Sequence, residues 1–278
     1  MKVVVTGASG FLGNRVVEKL IELGIEVCAV ARQPLKYPDS IVVDNYLDTP
    51  EGDILIHLAE NSDRAQINKI GSAYLTDSTA LAKALISRGF GRIVYASSAV
   101  VYGDKSTKAH KPTGPVLSDD VYSQSKLECE KLFDKHNGVV ARFSNVFGIG
   151  MSTGNVISTI IKQVLTTNKV KVWNDAPIRD FLWIDDAVDA LVKMALGEST
   201  GVYNVASGSA ISIKQLVQTV IIASSVEREF ILAVTKPSNE YSSVILDISD
   251  TFNSFGWAPK MKLEDGIRQL LNNEVRIQ

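Results

Sequence analysis

Seven residues near the start of the chain, Gly7-Ala8-Ser9-Gly10-Phe11-Leu12-Gly13, limit its possible folds more than any other feature. They follow a short β-branched run, Lys2–Thr6, which reads as a buried strand. They open a stretch in which Leu12, Val16, Leu20 and Leu23 share one helical face, with Gly24 just past its end. In a strand–turn–helix setting the three glycines of this GxxGxxG pattern have separate tasks. Gly7 permits the tight turn, Gly10 lets a pyrophosphate approach the backbone, and Gly13 lets helix and strand pack closely. The helix N-terminus adds N–H donors and a partial positive charge. The turn is therefore expected to hold a dinucleotide, with Ser9, Phe11 and Leu12 as further contacts.

The rest of the first half alternates strands and helices. Glu26–Ala31, Ile41–Val43, Asp53–Leu58, Arg92–Ser97 and Val139–Arg142 read as strands, and Tyr74–Arg88 and Val121–Lys135 as helices. That alternation predicts an α/β fold with a Rossmann-type, doubly wound parallel sheet and ligands at the carboxyl ends of its strands. After Asn145 the pattern is less regular. Ile157–Leu165, Ile213–Ala223 and Leu263–Leu271 are helical, Val170–Trp173 is a short strand, and Asp185 or Asp186 is placed to cap a helix running to Leu196. The expected division is a dinucleotide-binding domain over 1–150, joined by a return segment near 177–203, and a smaller, interleaved α/β substrate lobe over 151–278.

Composition removes several classes of function. Twenty-nine Lys+Arg against thirty-one Asp+Glu leave a net charge of −2, so the overall balance predicts no nucleic-acid partner. No apolar run approaches the ~18–20 residues that span a membrane. The strand that starts at Lys2 leaves no room for a signal peptide, and Cys28 and Cys129 have no CxxC neighbour or histidine at metal-ligand spacing. The expectation is a cytoplasmic protein with two reduced thiols and no metal.

Two further positions bear on the nicotinamide cofactor. A carboxylate at the end of the second strand would bind the ribose 2′-hydroxyl of NAD, but Ala29-Val30-Ala31 runs into Arg32. An arginine there is suited to a 2′-phosphate, which favours NADP over NAD. Asp44, after the third strand, is a candidate acceptor for an adenine amino group.

The second cluster of chemistry is Tyr122-Ser123-Gln124-Ser125-Lys126, whose i, i+4 spacing puts Tyr122 and Lys126 on one helical face. A free phenol ionises near pH ~10 and is a poor base at neutrality, but an adjacent ammonium favours the phenolate. Such a tyrosine exchanges a proton with a sugar hydroxyl or carbonyl. Ser98, at the end of the fifth strand, is a candidate hydrogen-bond partner for the same reacting oxygen.

With these residues in place the chain resembles an extended short-chain dehydrogenase/reductase of the NAD-dependent epimerase/dehydratase family. The resemblance covers nearly the whole chain. Its further marks are His57-Leu58-Ala59, Tyr95-Ala96-Ser97-Ser98-Ala99-Val100-Val101-Tyr102-Gly103, Arg142-Phe143-Ser144-Asn145-Val146-Phe147-Gly148, Arg179-Asp180-Phe181 and Tyr203-Asn204-Val205. It implies that Ser98 orients the substrate oxygen, that Tyr122 is the acid/base, and that Lys126 also binds the nicotinamide ribose. Leu58 and Ala59 would line the cofactor site. Asn145, Asn155 with its neighbour Val156, and Arg179 match positions that meet a nucleotide-sugar diphosphate. Trp173 falls where an apolar or aromatic residue lies against the nucleotide base, and Lys236 lies near the usual site of a second diphosphate arginine. A homodimer would form through a four-helix bundle of the Tyr74–Arg88 and Val121–Lys135 helices.

The departures sharpen the expectation. Ala99-Val100 stand where the dehydratase branch carries Asp-Glu, which argues against a 4,6-dehydratase. Glu60 replaces a second small residue after Ala59, and Tyr74 falls where many members place an asparagine. The expected activity is hydride transfer at C4 of a nucleotide-activated sugar. Arg32 tilts it to an NADPH-dependent 4-ketoreductase, with an NAD-retaining 4-epimerase as the alternative. A non-catalytic NAD(P)-binding sensor would not need Ser98, Tyr122 and Lys126 together.

Overall fold

Val3, Val4 and Val5 are wholly buried, as a strand covered by helices on both faces requires. The computed structural model describes residues 1–226, 231–236 and 240–277. The chain begins β1 (Lys2–Thr6), α1 (Phe11–Glu22), β2 (Glu26–Ala31), β3 (Ser40–Val42) and β4 (Ile54–His57). It continues α2 (Arg64–Ile70), α3 (Ser72–Ser87), β5 (Arg92–Ser98), α4 (Val121–Lys135) and β6 (Val139–Phe143). The later elements are β7 (Asn145–Phe147), α5 (Val156–Thr166), β8 (Lys169–Val172), β9 (Ile178–Trp183), α6 (Ile184–Leu196) and β10 (Gly201–Val205). After them come β11 (Ala210–Ser212), α7 (Ile213–Ser224), β12 (Ile231–Val234), β13 (Ser243–Val244), α8 (Ser249–Phe255) and α9 (Leu263–Ile277).

Seven strands form one parallel sheet in the order β10-β6-β5-β4-β1-β2-β3. Helices α1 and α6 pack together on one side, around Val16, Val17, Leu20 and Leu191. Helices α3 and α4 pack together on the other, around Leu85, Tyr95, Cys129 and Phe133. The winding changes direction between β1 and β4, and such a switch point opens a crevice at the strands' carboxyl ends. His57 marks it: the buried imidazole hydrogen-bonds Thr6 Oγ1 through Nδ1 at 2.7 Å, tying the ends of β1 and β4. Burial lowers its pKa to about 4, so the ring is neutral there at physiological pH.

The smaller layer is built on β9. It pairs in parallel with β7 and β13 and antiparallel with β11, while β8 and β12 form a separate parallel pair. Between these segments α6 and β10 return to the large sheet, so the two layers are interleaved in sequence.

Local structure differs from the sequence reading at a few points, each for a physical reason. An additional helix, α2, precedes α3. Asp63 caps it by accepting from Gln66 N at 2.9 Å, and Gly71 at φ +77° ends it, so α3 starts at Ser72. Neither Asp185 nor Asp186 caps α6. The capping position is Trp183, whose indole Nε1 donates to Asp185 at 2.9 Å, while Asp186 accepts from Met261 N at 2.9 Å and anchors the approach to α9. The short strands β7, β11 and β13 leave little mark in the hydrophobic pattern because each is defined by its pairing with β9.

Candidate active site

The glycine turn sits at the switch point. Gly7 has φ +70°, and a Cβ on it would lie 2.7 Å from the Leu58 carbonyl carbon and oxygen. A Cβ on Gly13 would lie 2.1 Å from the Gly7 carbonyl oxygen, so α1 reaches the turn only because that side chain is absent. Gly10 is the N-cap of α1 and makes no side-chain capping bond, and the first turn carries no acid. The helix thus presents free N–H groups and its positive end to the cleft.

That cleft measures about 830 Å³ and is bounded by Gly7, Ser9, Gly10, Leu58 and Ala59 at the turn. Arg32, Asn45, Tyr46 and Leu47 also line it, with the Arg32 guanidinium 5.9 Å from the centre of the Tyr46 ring. The volume lies within the range of small-molecule and cofactor sites. An uncapped helix end, backbone that tolerates no Cβ and a cleft of this volume together fit a dinucleotide. Phe11, Leu12 and Gly13 belong to the helix behind the cleft, where Phe11 and Leu12 pack on the core. Asp44 is exposed beside the cleft, and its neighbours Asn45 and Tyr46 form the wall.

Tyr122 and Lys126 lie in the first turns of α4, both buried. Asp120 caps the helix by accepting from Ser123 N at 2.8 Å. The same carboxylate accepts from Asn68 Nδ2 at 2.9 Å and Arg64 Nε at 2.5 Å. These bonds hold the Asp120 carboxyl well below its usual range against the opposing effect of burial. Asn68 Oδ1 takes the backbone N–H of Tyr122 at 3.1 Å, one of the donors a helix start leaves unpaired. Helix α2 therefore positions the N-terminal end of α4, which carries Tyr122 and Lys126.

The Lys126 ammonium donates to the Ala96 carbonyl at 2.9 Å and to Glu60 Oε2 in a short ion pair. Its charge also lies 5.0 Å from the centre of the Tyr95 ring. Burial alone would depress the lysine, but Glu60 and the neighbouring phenols outweigh it and hold the pKa above the usual range. Ser98 ends β5 and accepts from Val100 N at 3.3 Å, capping a single 3₁₀ turn that packs against α4. Ser98, Tyr122 and Lys126 thus come from two adjoining elements at the carboxyl edge of the sheet.

In the smaller layer, Asn145 Nδ2 donates to the Asp180 carbonyl at 3.0 Å, joining β7 to β9. Asn155 caps α5, with Oδ1 accepting from Ile157 N at 2.9 Å, and Val156 is the first residue of that helix. Arg179 is held by Ser242 Oγ at 2.8 Å and by Asp104 at 3.8 Å, in a small pocket shared with Val100, Ser123 and Arg64. Trp173 is 66% exposed, with Lys236 Nζ 4.4 Å from its ring centre, so these two distant residues form one platform.

Sequence reasoning missed the α2 residues, the Asn45–Leu47 wall and the role of Glu60. Asp63 followed three residues later by Gln66 was a readable helix-start signal. Glu60 stood out only as an acid where a small residue is expected.

Comparisons with known proteins agree with this geometry. The profile of the NAD dependent epimerase/dehydratase family matches residues 3–206. GDP-6-deoxy-D-mannose reductase of Pseudomonas aeruginosa is 28% identical over 310 residues, covering 100% of this chain and 98% of that protein. UDP-glucuronic acid decarboxylase 3 of Arabidopsis thaliana is 26% identical over 318 residues, covering 100% of this chain and 90% of that one. The solved structure of MoeE5 in complex with UDP-glucuronic acid and NAD superposes with a TM-score of 0.87 at 25% identity, covering 100% of each chain. Profile, fold and the order of the motifs converge, and the chain belongs to the NAD dependent epimerase/dehydratase family as an NAD(P)-dependent enzyme.

Proposed function

We propose that the protein reduces the C4 ketone of a nucleotide-activated sugar, with NADPH as the preferred cofactor. The observation that carries this reading is Arg32 on the wall of the dinucleotide cleft, at the end of a β2 that offers no acid to a ribose 2′-hydroxyl. The named activities of the relatives differ, so the choice among reactions rests on residues of this chain. A bound nicotinamide would supply the hydride. The protein's own part is placement and the proton. Tyr122 gives its phenolic proton to the oxygen at C4, Ser98 holds that oxygen by a hydrogen bond, and Lys126 supports the phenol and would reach the nicotinamide ribose. Residues 1–150 with 177–203 form the cofactor unit, and the remainder receives the sugar nucleotide. Arg179, Asn145, Asn155 and Lys236 would meet the diphosphate, and Trp173 the base.

Arg32→Ala tests the cofactor assignment. It removes a charge-assisted hydrogen bond that only a 2′-phosphate can accept, worth ~1.5–3 kcal/mol or about 10–150-fold in affinity. Titration should show that loss for NADPH and little change for NADH; equal losses would end the NADP assignment. Product analysis separates the reactions. NADPH oxidation with a 4-keto nucleotide sugar supports the reductase, whereas epimer formation from a 4-hydroxy sugar on retained NAD replaces it with the 4-epimerase. Tight nicotinamide binding with neither activity would replace both with a sensor.

The dimer is part of the same proposal, supported by α3 and α4 lying side by side on one face of the sheet. Sedimentation showing monomer alone at micromolar concentration would count against it. Two buried free thiols, Cys28 and Cys129, support a cytoplasmic location, and no helix among the described residues is long and apolar enough to cross a membrane.

A further inference from the structure

Among the described residues, Glu60 is the one acid that both lines the dinucleotide cleft and pairs with Lys126. It follows Leu58-Ala59 at the switch point and lines the cleft, yet its side chain is only 10% exposed. Its carboxylate accepts from Lys126 Nζ and also from the Tyr95 hydroxyl, at 3.0 and 3.1 Å to its two oxygens. An ammonium has three N–H donors. Glu60 takes one and the Ala96 carbonyl another, which leaves one for the phenol or a ribose hydroxyl. The titratable groups that interact with the carboxylate are His57 on β4, Tyr74 on α3, Tyr95 on β5, and Lys126 and Cys129 on α4, and Lys126 also interacts with Tyr122 one turn earlier in α4. Among them Lys126 is the only standing positive charge, because His57 is buried and neutral.

We propose that Glu60 is a positioning residue that fixes Lys126 and cancels its charge, so that Tyr122 is kept as a proton donor and the site is set for ketone reduction. The inference rests on the reading of Tyr122 and Lys126 as the acid–base pair. An uncompensated ammonium beside a phenol favours phenolate, the form that takes a proton. A buried ion pair presents a far weaker field to its surroundings than a lone ammonium does. The surrounding shifts agree with this picture. Burial would raise the Glu60 carboxyl, but the charge of Lys126 overcomes it and holds the group ionised. Burial, with Glu60 next in weight, pushes the Tyr74 phenol up to about 12, so Tyr74 does not compete for the role.

The test reads Tyr122 directly. Phenolate absorbance is followed against pH for the parent and for Glu60→Gln and Glu60→Asp, each minus the same protein carrying Tyr122→Phe. Glu60→Gln keeps the shape and an acceptor oxygen but removes the charge. Its Tyr122 transition should move about one pH unit lower. Glu60→Asp retains the charge and should return the transition toward the parent value. An unmoved transition in folded Glu60→Gln overturns the proposal. Should Glu60→Gln fail to fold, Lys126→Met is compared with Lys126→Met/Glu60→Gln. The single variant leaves Glu60 uncompensated and should ionise Tyr122 at higher pH than the double, and equal values overturn the proposal. Turnover by Tyr122→Phe is measured alongside. Activity retained there defeats the acid–base reading itself, while the spectral shift still decides the link between Glu60 and Tyr122.

Discussion

Tyr122→Phe is expected to lose about 10²–10⁴-fold in turnover, the usual worth of general acid–base catalysis. The substitution keeps the ring, which is buried at the start of α4, and removes only the proton-bearing oxygen. The helix cap through Asp120 and the backbone bond to Asn68 do not involve that oxygen, so the fold and cofactor affinity should barely change. Lys126→Ala should behave differently. It loses support for the phenol and a candidate ribose contact together, and it leaves the Glu60 carboxylate buried without its ion-pair partner. Ser98→Ala should fall between, since it removes the hydrogen bond proposed for the reacting oxygen. The three effects should be non-additive, because in the proposed mechanism the groups act on one oxygen as a unit. Steady-state rates with a 4-keto nucleotide sugar, beside cofactor titrations, check each point. Unchanged turnover in Tyr122→Phe would remove the catalytic assignment.

The large sheet was legible because its signals are local. A wholly buried β-branched run, a glycine turn and an amphipathic helix specify β1 and α1 without reference to the rest of the chain. The smaller layer was less legible because β7, β11 and β13 are two or three residues long and owe their state to pairing with β9. The site divided in the same way. Gly7, Gly13 and the Tyr122–Lys126 spacing announce themselves, since a missing Cβ and a helical period are properties of the sequence. The Glu60–Lys126 pair joins residues 66 positions apart, and only the packing of β4 against β5 beneath α4 brings them together. Asp44 illustrates the limit at finer scale. The residues immediately after it, Asn45 to Leu47, line the cleft, and nothing in their hydrophobic pattern marks them as wall.

The second large effect is expected in stability, at a pair that takes no part in the proposed chemistry. Glu130 and Arg142 are buried together between α4 and β6, with Arg142 Nη2 donating to Glu130 Oε2 at 2.6 Å and Nε to both carboxylate oxygens at 3.0 and 3.2 Å. Further hydrogen bonds extend the pair into a network. Ser97 Oγ donates to Glu130, and Arg142 Nη1 donates to the Tyr102 hydroxyl at 2.9 Å and the Pro112 carbonyl at 3.1 Å. Tyr102 in turn donates to Asn204 Oδ1 at 2.7 Å on β10, so one network ties β5, β6, β10 and α4 behind the active site. A pair of this kind adds little over a well-packed apolar substitute, because its attraction is offset by the desolvation of two ions. Removing one partner is another matter. Glu130→Ala leaves a guanidinium buried without its anion and should cost about 3–5 kcal/mol. For a domain of this size that is on the order of 10 °C in the unfolding midpoint. Glu130→Ala/Arg142→Met, which removes both charges, should recover much of the loss. Thermal unfolding of the three proteins decides it. A single variant within 1–2 °C of the parent would mean that water or a rearranged side chain reaches Arg142, and that the network is less closed than its hydrogen bonds imply.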